Sequence, residues 1–148
     1  MKFHSKIKNM KKFKKRVSNA RKCRYDGLIF DSILEKNRYI WLKQAEKGGM
    51  IKNLKTQYPF ELIPSQDRLE NIIPSISKTK KIRGTKYISD FVYLRTSDNK
   101  WIINDVKGRT MDVYKLKLKL VILNYCSGQG WTFLETYKDS KRNNFLDL

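Results

Sequence analysis

Hydrophobic and polar residues alternate most regularly in the second half of the chain. Residues 86–96 (KYISDFVYLRT) have the period of two that is typical of a strand, residues 97–99 (SDN) suit a tight turn, and residues 100–108 form a second strand. This pattern predicts an antiparallel hairpin. Residues 54–63 alternate as well, and Pro59 within them favours an edge strand or a bulge, because proline cannot donate to a strand ladder.

A helical pattern begins near Phe30 and ends at the two glycines 48–49. Ser32-x-x-Glu35 has the spacing of a capping box, and glycine often ends a helix. We expect the centre of the apolar face to be formed by Leu34, Trp41 and Ala45. At 100° per residue, Glu35 projects close to Leu42, at the edge of that face.

The remaining segments complete an α/β pattern. Residues 64–86 form a long excursion, residues 110–125 a second helix and residues 130–137 a last strand. We prefer a helix for 110–125, although KLKLKL alternates, because the stretch exceeds a typical strand in length. The order α-β-β-β-α-β predicts a mixed sheet flanked by helices, with the last strand parallel to its neighbour after a right-handed crossover.

The net charge of the chain indicates what kind of partner it binds. Lys and Arg number 33 against 14 Asp and Glu, so the formal net charge is +19. Such a field opposes compaction, and a polyanion is the simplest reason to tolerate it. We therefore expect nucleic acid, ahead of a general solubility charge or a membrane surface. Residues 1–24 hold eleven basic residues and no acid, and are predicted to be an N-terminal arm before a domain at 25–148.

Candidate DNA-binding residues lie in three basic segments: the arm, the long excursion and the second helix. They are Lys11, Lys12, Lys14, Lys15, Arg16, Lys80, Lys81, Arg83, Lys115 and Lys119. For Lys115 and Lys119, one helical turn apart, a solvated helix face is an equal alternative.

Composition also excludes several classes. No apolar run approaches the roughly 20 residues that span a bilayer. Cys23 and Cys126 are isolated and His4 is the only histidine, so the sequence predicts no structural zinc site. Reduced cysteines and the lack of a signal peptide predict a cytoplasmic protein without a membrane partner.

Two acids and a lysine fall among apolar residues of the predicted hairpin. Asp90 shares a strand face with Val92, and Asp105 and Lys107 share a face on the next strand. A buried carboxylate must become neutral, find a partner or bind a metal. An ion pair with Lys107 accounts for only one of the two acids. A divalent cation would relieve both, and oxygen ligands favour Mg²⁺ over zinc.

These residues resemble the PD-(D/E)XK nuclease signature: Glu35 on the first helix, Asp90 before the turn, and Asp105-Val106-Lys107 at a strand end. The order of elements is similar to the restriction-endonuclease-like core of that superfamily. The segments FDSILEKNRYIWLKQAEKGGMIKNLKTQYPFELIP, KYISDFVY and INDVKG resemble a small family of phage-encoded proteins with this signature. Their layout is also similar to that of the phage endonuclease I family, which resolves Holliday junctions.

The resemblance implies a Mg²⁺-dependent DNA endonuclease, with Mn²⁺ able to substitute. Asp90, Asp105 and the Val106 carbonyl would hold the metal. Glu35 would join the metal shell or hold a second ion. Lys107 would orient the attacking water and offset charge on the scissile phosphate. A junction-resolving enzyme of DNA recombination, encoded by a bacteriophage and acting in the host cytoplasm, would cut two strands and is expected to be a homodimer.

Several alternatives fit the same residues. Glu35 also suits a helix cap, which needs no catalytic role. Ser89 replaces the proline of the signature, and Asn104 stands where related phage sequences often have an acid. The same chemistry fits a nicking, end-processing or restriction-type nuclease. A non-catalytic nucleic-acid-binding protein is the third reading, and it predicts that Asp90 and Asp105 are dispensable.

Overall fold

A computed structural model describes residues 21–67, 81–107 and 112–137. The strands are β1 (Cys23–Tyr25), β2 (Leu28–Phe30), β3 (Ile51–Ile63), β4 (Gln66–Asp67), β5 (Lys81–Ile82), β6 (Thr85–Arg95), β7 (Lys100–Lys107) and β8 (Thr132–Tyr137). The helices are α1 (Ile33–Lys47) and α2 (Asp112–Val121), which a π-helical turn, Ile122–Ser127, continues.

The main sheet has four strands in the order β3-β6-β7-β8. β3, β6 and β7 pair antiparallel in sequence, and β8 lies parallel to β7 after the α2 crossover. This is the predicted mixed sheet with α-β-β-β-α-β order, so the α/β fold class is confirmed. β3 is an edge strand, as Pro59 within it indicated.

Two residues interrupt the regular backbone of β3. Asn53 and Gln57 have φ values of 57° and 50°, in the left-handed region that glycine prefers. The pairing register shifts by one residue near Asn53, which marks a bulge. Around Gln57 the register is continuous, from Thr56↔Phe91 to Tyr58↔Ser89, so Gln57 lies opposite Asp90 on β6.

Helix α1 begins as the capping pattern predicts. The Ser32 hydroxyl accepts a hydrogen bond from the Glu35 amide at 3.1 Å, and Gly48 closes the other end. The predicted face is displaced, however. The buried residues are Glu35, Arg38, Tyr39, Leu42 and Ala45, whereas Leu34 and Trp41 are only half-buried. Glu35 and Leu42 therefore lie at the centre of the buried face rather than at its edge.

The sheet separates two apolar clusters. α1 packs Tyr39, Leu42 and Ala45 against one face, formed by side chains such as Phe91 and Ile102. The opposite face carries Val92 and Ile103, against which α2 packs Val121, with aromatic residues of α2, the π-helical turn and β8 around them. Of the helices described, none is long and apolar enough to cross a membrane.

Two short antiparallel strand pairs were not predicted. β1 and β2 pair around Asp26 and Gly27, which both have positive φ. β1 therefore begins inside the residues assigned to the arm. β4 and β5 pair within the predicted excursion. The proposed cap at Thr110 and the tail after Tyr137 lie outside the described residues.

Candidate active site

Strands β6 and β7 separate where the site begins. Their pairing runs from Arg95↔Lys100 to Phe91↔Asn104, and Asp90 is the next residue of β6. The Asp90 carboxylate accepts a hydrogen bond from the Val106 amide at 2.7 Å. It thus replaces a backbone carbonyl in the ladder and holds the fork between the two strands open. This fork brings Asp90 next to the Asp105-Val106-Lys107 segment, as the sequence predicted.

Asp105 and Lys107 form an ion pair on β7. Their side chains are only 8% and 10% exposed, so water screens the pair weakly. The Lys107 ammonium also lies 3.3 Å from the centroid of the Tyr114 ring on α2. Burial lowers the pKa of Lys107 to about 8, against the opposing effect of the charges on Asp90 and Glu135. Lys107 is therefore an amine that can exchange a proton near neutral pH.

Glu35 reaches the fork from α1, which packs on the sheet face opposite to the one that carries Asp105 and Lys107. One carboxylate oxygen accepts from the Asp31 amide at 3.0 Å and the other from the Gln57 side chain at 2.9 Å. Burial, and next the charge of Asp90, raise the pKa of Glu35 to about 7. Burial also raises the pKa of Asp90. The carboxylate thus has the position of a cap and the electrostatics of a site residue, since it interacts with Asp90.

Gln57 is a site residue that the sequence analysis missed. Its amide donates to Glu35, and a hydrogen bond with Asp90 opposes the rise in the pKa of that acid. It bridges the two carboxylates from a backbone conformation that glutamine rarely adopts. No sequence pattern marks this residue, because its contact depends on the register of β3 against β6. Asp31 was missed too, and its charge raises the pKa of both Glu35 and Asp90.

A third missed residue, the acid Glu135, acts on Lys107 from β8. β8 carries it in register with Asp105. The hydroxyls of Tyr114 and Tyr137 both donate to its carboxylate, the second at 2.7 Å. These bonds lower the pKa of Glu135, the Tyr114 bond most. Glu135 therefore stays charged and contributes a negative field at Lys107.

A buried polar network fixes β7 behind the fork. The fully buried Arg38 donates to the Asn104 side-chain oxygen at 2.9 Å. Asn104 in turn donates to the Thr136 hydroxyl at 2.7 Å and to the Leu134 carbonyl at 3.1 Å. Asn104 thus faces α1, on the opposite strand face from Asp105. The network ties α1, β7 and β8 together and sets the position of Asp105.

The donor groups at the fork suit a hard cation in part. Glu35 and Asp90 are both desolvated and repel each other, so a divalent ion would favour both charges. Mg²⁺ commonly uses one or two carboxylates and keeps several waters. Within the described ranges, however, no three acidic, histidine or cysteine side chains group closely enough to hold an ion alone. Asp105 instead contacts Lys107, which is the ion pair weighed from the sequence.

The predicted DNA-binding residues are spread over the chain. Lys11, Lys12, Lys14, Lys15, Arg16 and Lys80 lie outside the described residues. Lys81 and Arg83 are exposed near β5. Lys115 pairs with Asp112 at 3.2 Å, and Lys119 is exposed on the same outer side of α2. Two lysines not singled out from the sequence, Lys86 and Lys117, lie nearer the site and line a groove with Lys107.

Comparison with known families places this chain in one of them. Residues 10–140 match the family described as "Protein of unknown function (DUF1064)", so the chain belongs to that family. No curated protein matches the chain. No solved structure matches it either.

Proposed function

We propose that this protein is a Mg²⁺-dependent DNA endonuclease that hydrolyses phosphodiester bonds in branched DNA. The four-way junction is the substrate that we propose it prefers. The observation that carries the proposal is the fork between β6 and β7. There, two desolvated carboxylates, Glu35 and Asp90, interact with each other, and the charge of Asp90 also acts on Lys107, whose pKa is lowered to about 8. The resemblance of the same residues to the PD-(D/E)XK signature supports it independently of the geometry.

The metal would be held by Asp90, Glu35 and the Val106 carbonyl, with Asp105 joining after release from Lys107. When bound, Mg²⁺ lowers the pKa of water and offsets charge at the phosphate. Mn²⁺ is expected to substitute, since it takes the same oxygen ligands.

The residues of the chain then have separate tasks. Gln57 and the Val106 amide hold Glu35 and Asp90 in place before a substrate arrives. Lys107 carries a proton that it can donate to a phosphate oxygen, or in its neutral form it can orient a water. Tyr114 shields this amine from solvent and Glu135 favours its charged form.

The net charge of +19 supports a DNA substrate. Lysine and arginine attract phosphates regardless of base sequence, which suits recognition of DNA shape. Cutting two strands at one junction needs two such sites, so the proposal includes a homodimer acting in the cytoplasm of a phage-infected host.

A second candidate is a nucleic-acid-binding protein without catalysis. The Asp105–Lys107 ion pair favours it, because this pair satisfies both groups without a metal. On this reading the fork is a structural feature only.

Cleavage of three labelled substrates separates these functions. A four-way junction, a linear duplex and a single strand are incubated with the wild-type chain in Mg²⁺ or in EDTA, beside Asp90→Asn and Lys107→Ala. We expect junction cleavage by wild type with Mg²⁺ alone, and junction binding by both variants. Equal cleavage of all substrates would point to another nuclease type. Binding by wild type without cleavage would support the second candidate.

A further inference from the structure

A groove beside the fork is not used by the proposed hydrolysis. It has a volume of about 430 Å³ and lies between the start of β6 and the first half of α2. Lys107 is one of its lining residues, so the groove adjoins the site. This size lies within the roughly 300–1,000 Å³ of typical small-ligand sites.

The charge of the groove is of one sign. Lys86, Lys107 and Lys117 line it, and none of its described lining residues is acidic. Lys117 donates to the Lys86 carbonyl at 2.8 Å, which fixes its ammonium over the start of β6. The groove therefore presents one positioned ammonium group, that of Lys117, next to the exposed Lys86, and a phosphate accepts hydrogen bonds from such groups.

The other walls are apolar and aromatic. Ile88 and Val113 are 57% and 66% exposed, and Tyr87 and Tyr114 lie behind them. The phosphates of a duplex gain nothing from such walls, because duplex bases are stacked inside the helix. An unstacked base or its sugar would cover these two aliphatic side chains and remove their apolar surface from water, beside basic residues of the kind that follow a single-strand backbone.

We propose that this groove seats one nucleotide of an unpaired strand next to the scissile phosphate. Lys86 and Lys117 hold its phosphate, and the base lies against Ile88 and Val113. The inference rests on the proposed function, because it gives the nuclease a means to prefer DNA with an unstacked nucleotide at a branch over continuous duplex.

The test measures binding in EDTA, where no cleavage takes place. The probes are a fluorescein-labelled oligothymidylate of about 15 nucleotides, near the footprint of a single-strand site, the same strand with abasic sugars, and a duplex of equal length. The groove variant is Lys86→Ala/Lys117→Ala. Its matched control is Lys115→Ala/Lys119→Ala, which removes the same charge from the outer side of α2.

We expect the groove variant to lose roughly tenfold more affinity for the oligothymidylate than the control variant loses. The affinity for the duplex should fall by the same factor in both variants. Ile88→Ala/Val113→Ala keeps the charge and changes two exposed residues, so folding is preserved. This variant should bind the oligothymidylate roughly fivefold more weakly, and its affinity for the abasic strand and for the duplex should be unchanged.

Equal losses for groove and control variants on both probes would overturn the proposal, because the groove would then add only charge. Unchanged oligothymidylate binding by Ile88→Ala/Val113→Ala would overturn the seat for the base. If either result accompanies normal Mg²⁺-dependent cleavage, the proposal for the groove is refuted and the proposed nuclease function is not. If the predicted preference is found in a chain that never cleaves DNA, the nuclease function is refuted and the proposal for the groove is not.

Discussion

Replacing Glu35 with glutamine should stabilise the fold at pH 8 much more than at pH 5. Glu35 is only 4% exposed and interacts with Asp90, so its ionised form is disfavoured in the fold. Between its ordinary pKa and its raised pKa, the folded chain holds a proton that the unfolded chain has released. The free energy of unfolding therefore falls as pH rises through this window. Glutamine does not ionise and removes this loss.

The magnitude follows from the two pKa values. In the unfolded chain the pKa is 4.5, and in the fold it is about 7. Each unit of difference is worth about 1.4 kcal/mol, so the full penalty above pH 7 is about 3 kcal/mol. At pH 5 less than about 1 kcal/mol of it has developed. The effect of Glu35→Gln should thus differ between pH 5 and pH 8 by about 2 kcal/mol.

Urea unfolding in EDTA at both pH values measures this difference. Glu46→Gln on the same helix is the matched control, because the Leu54 amide and then Lys43 lower the pKa of Glu46. Its stabilising contribution is complete above pH 5, so its loss should be the same at both pH values. An effect of Glu35→Gln that is also equal at pH 5 and pH 8 would refute the desolvation of Glu35.

Three further perturbations test other parts of the molecule. Gln57→Ala should slow cleavage roughly tenfold and move the acidic limb of the pH–rate profile to higher pH, because Glu35 loses a hydrogen bond that favours its charged form. An acidic limb at the same pH would contradict the bridging role of Gln57. Gly84→Ala should destabilise the chain by about 1–3 kcal/mol in urea, because the added Cβ would lie 2.7 Å from the Ile63 carbonyl oxygen; unchanged stability would contradict this close approach. Deleting residues 1–20, which carry eight basic residues, should reduce the dependence of DNA binding on salt. If the slope of log affinity against log salt concentration is unchanged, the arm does not contact DNA.

Most of the sheet could be predicted because its signals are local. The alternation in β6 and β7 with a short turn between them defines a hairpin. The boundaries of α1 follow from Ser32 and Gly48. The β1–β2 hairpin also had a local signal, since Asp26-Gly27 is a strong turn dipeptide. It was missed because the high positive charge of the preceding residues suggested an arm.

The site was predicted in its residue types but not in its contacts. The sequence shows that Asp90 lies on one strand and that Asp105 and Lys107 lie two residues apart on the next strand. Their arrangement depends on the fork, which forms because Asp90 takes the place of a ladder partner for Val106. The contact of Gln57 with Glu35 depends on strand register and on a left-handed backbone, and neither leaves a periodic pattern.

The rate of junction cleavage by Asp90→Asn, relative to Asp98→Asn, shows whether the fork hydrolyses DNA. Both variants remove one carboxylate from β6 or its turn, but Asp98 pairs with Arg95 at the far end of the hairpin. With Mg²⁺ and a four-way junction, we expect a loss of roughly a hundredfold or more for Asp90→Asn and little change for Asp98→Asn. Equal rates for the two variants would contradict the assignment of the fork as the site of hydrolysis.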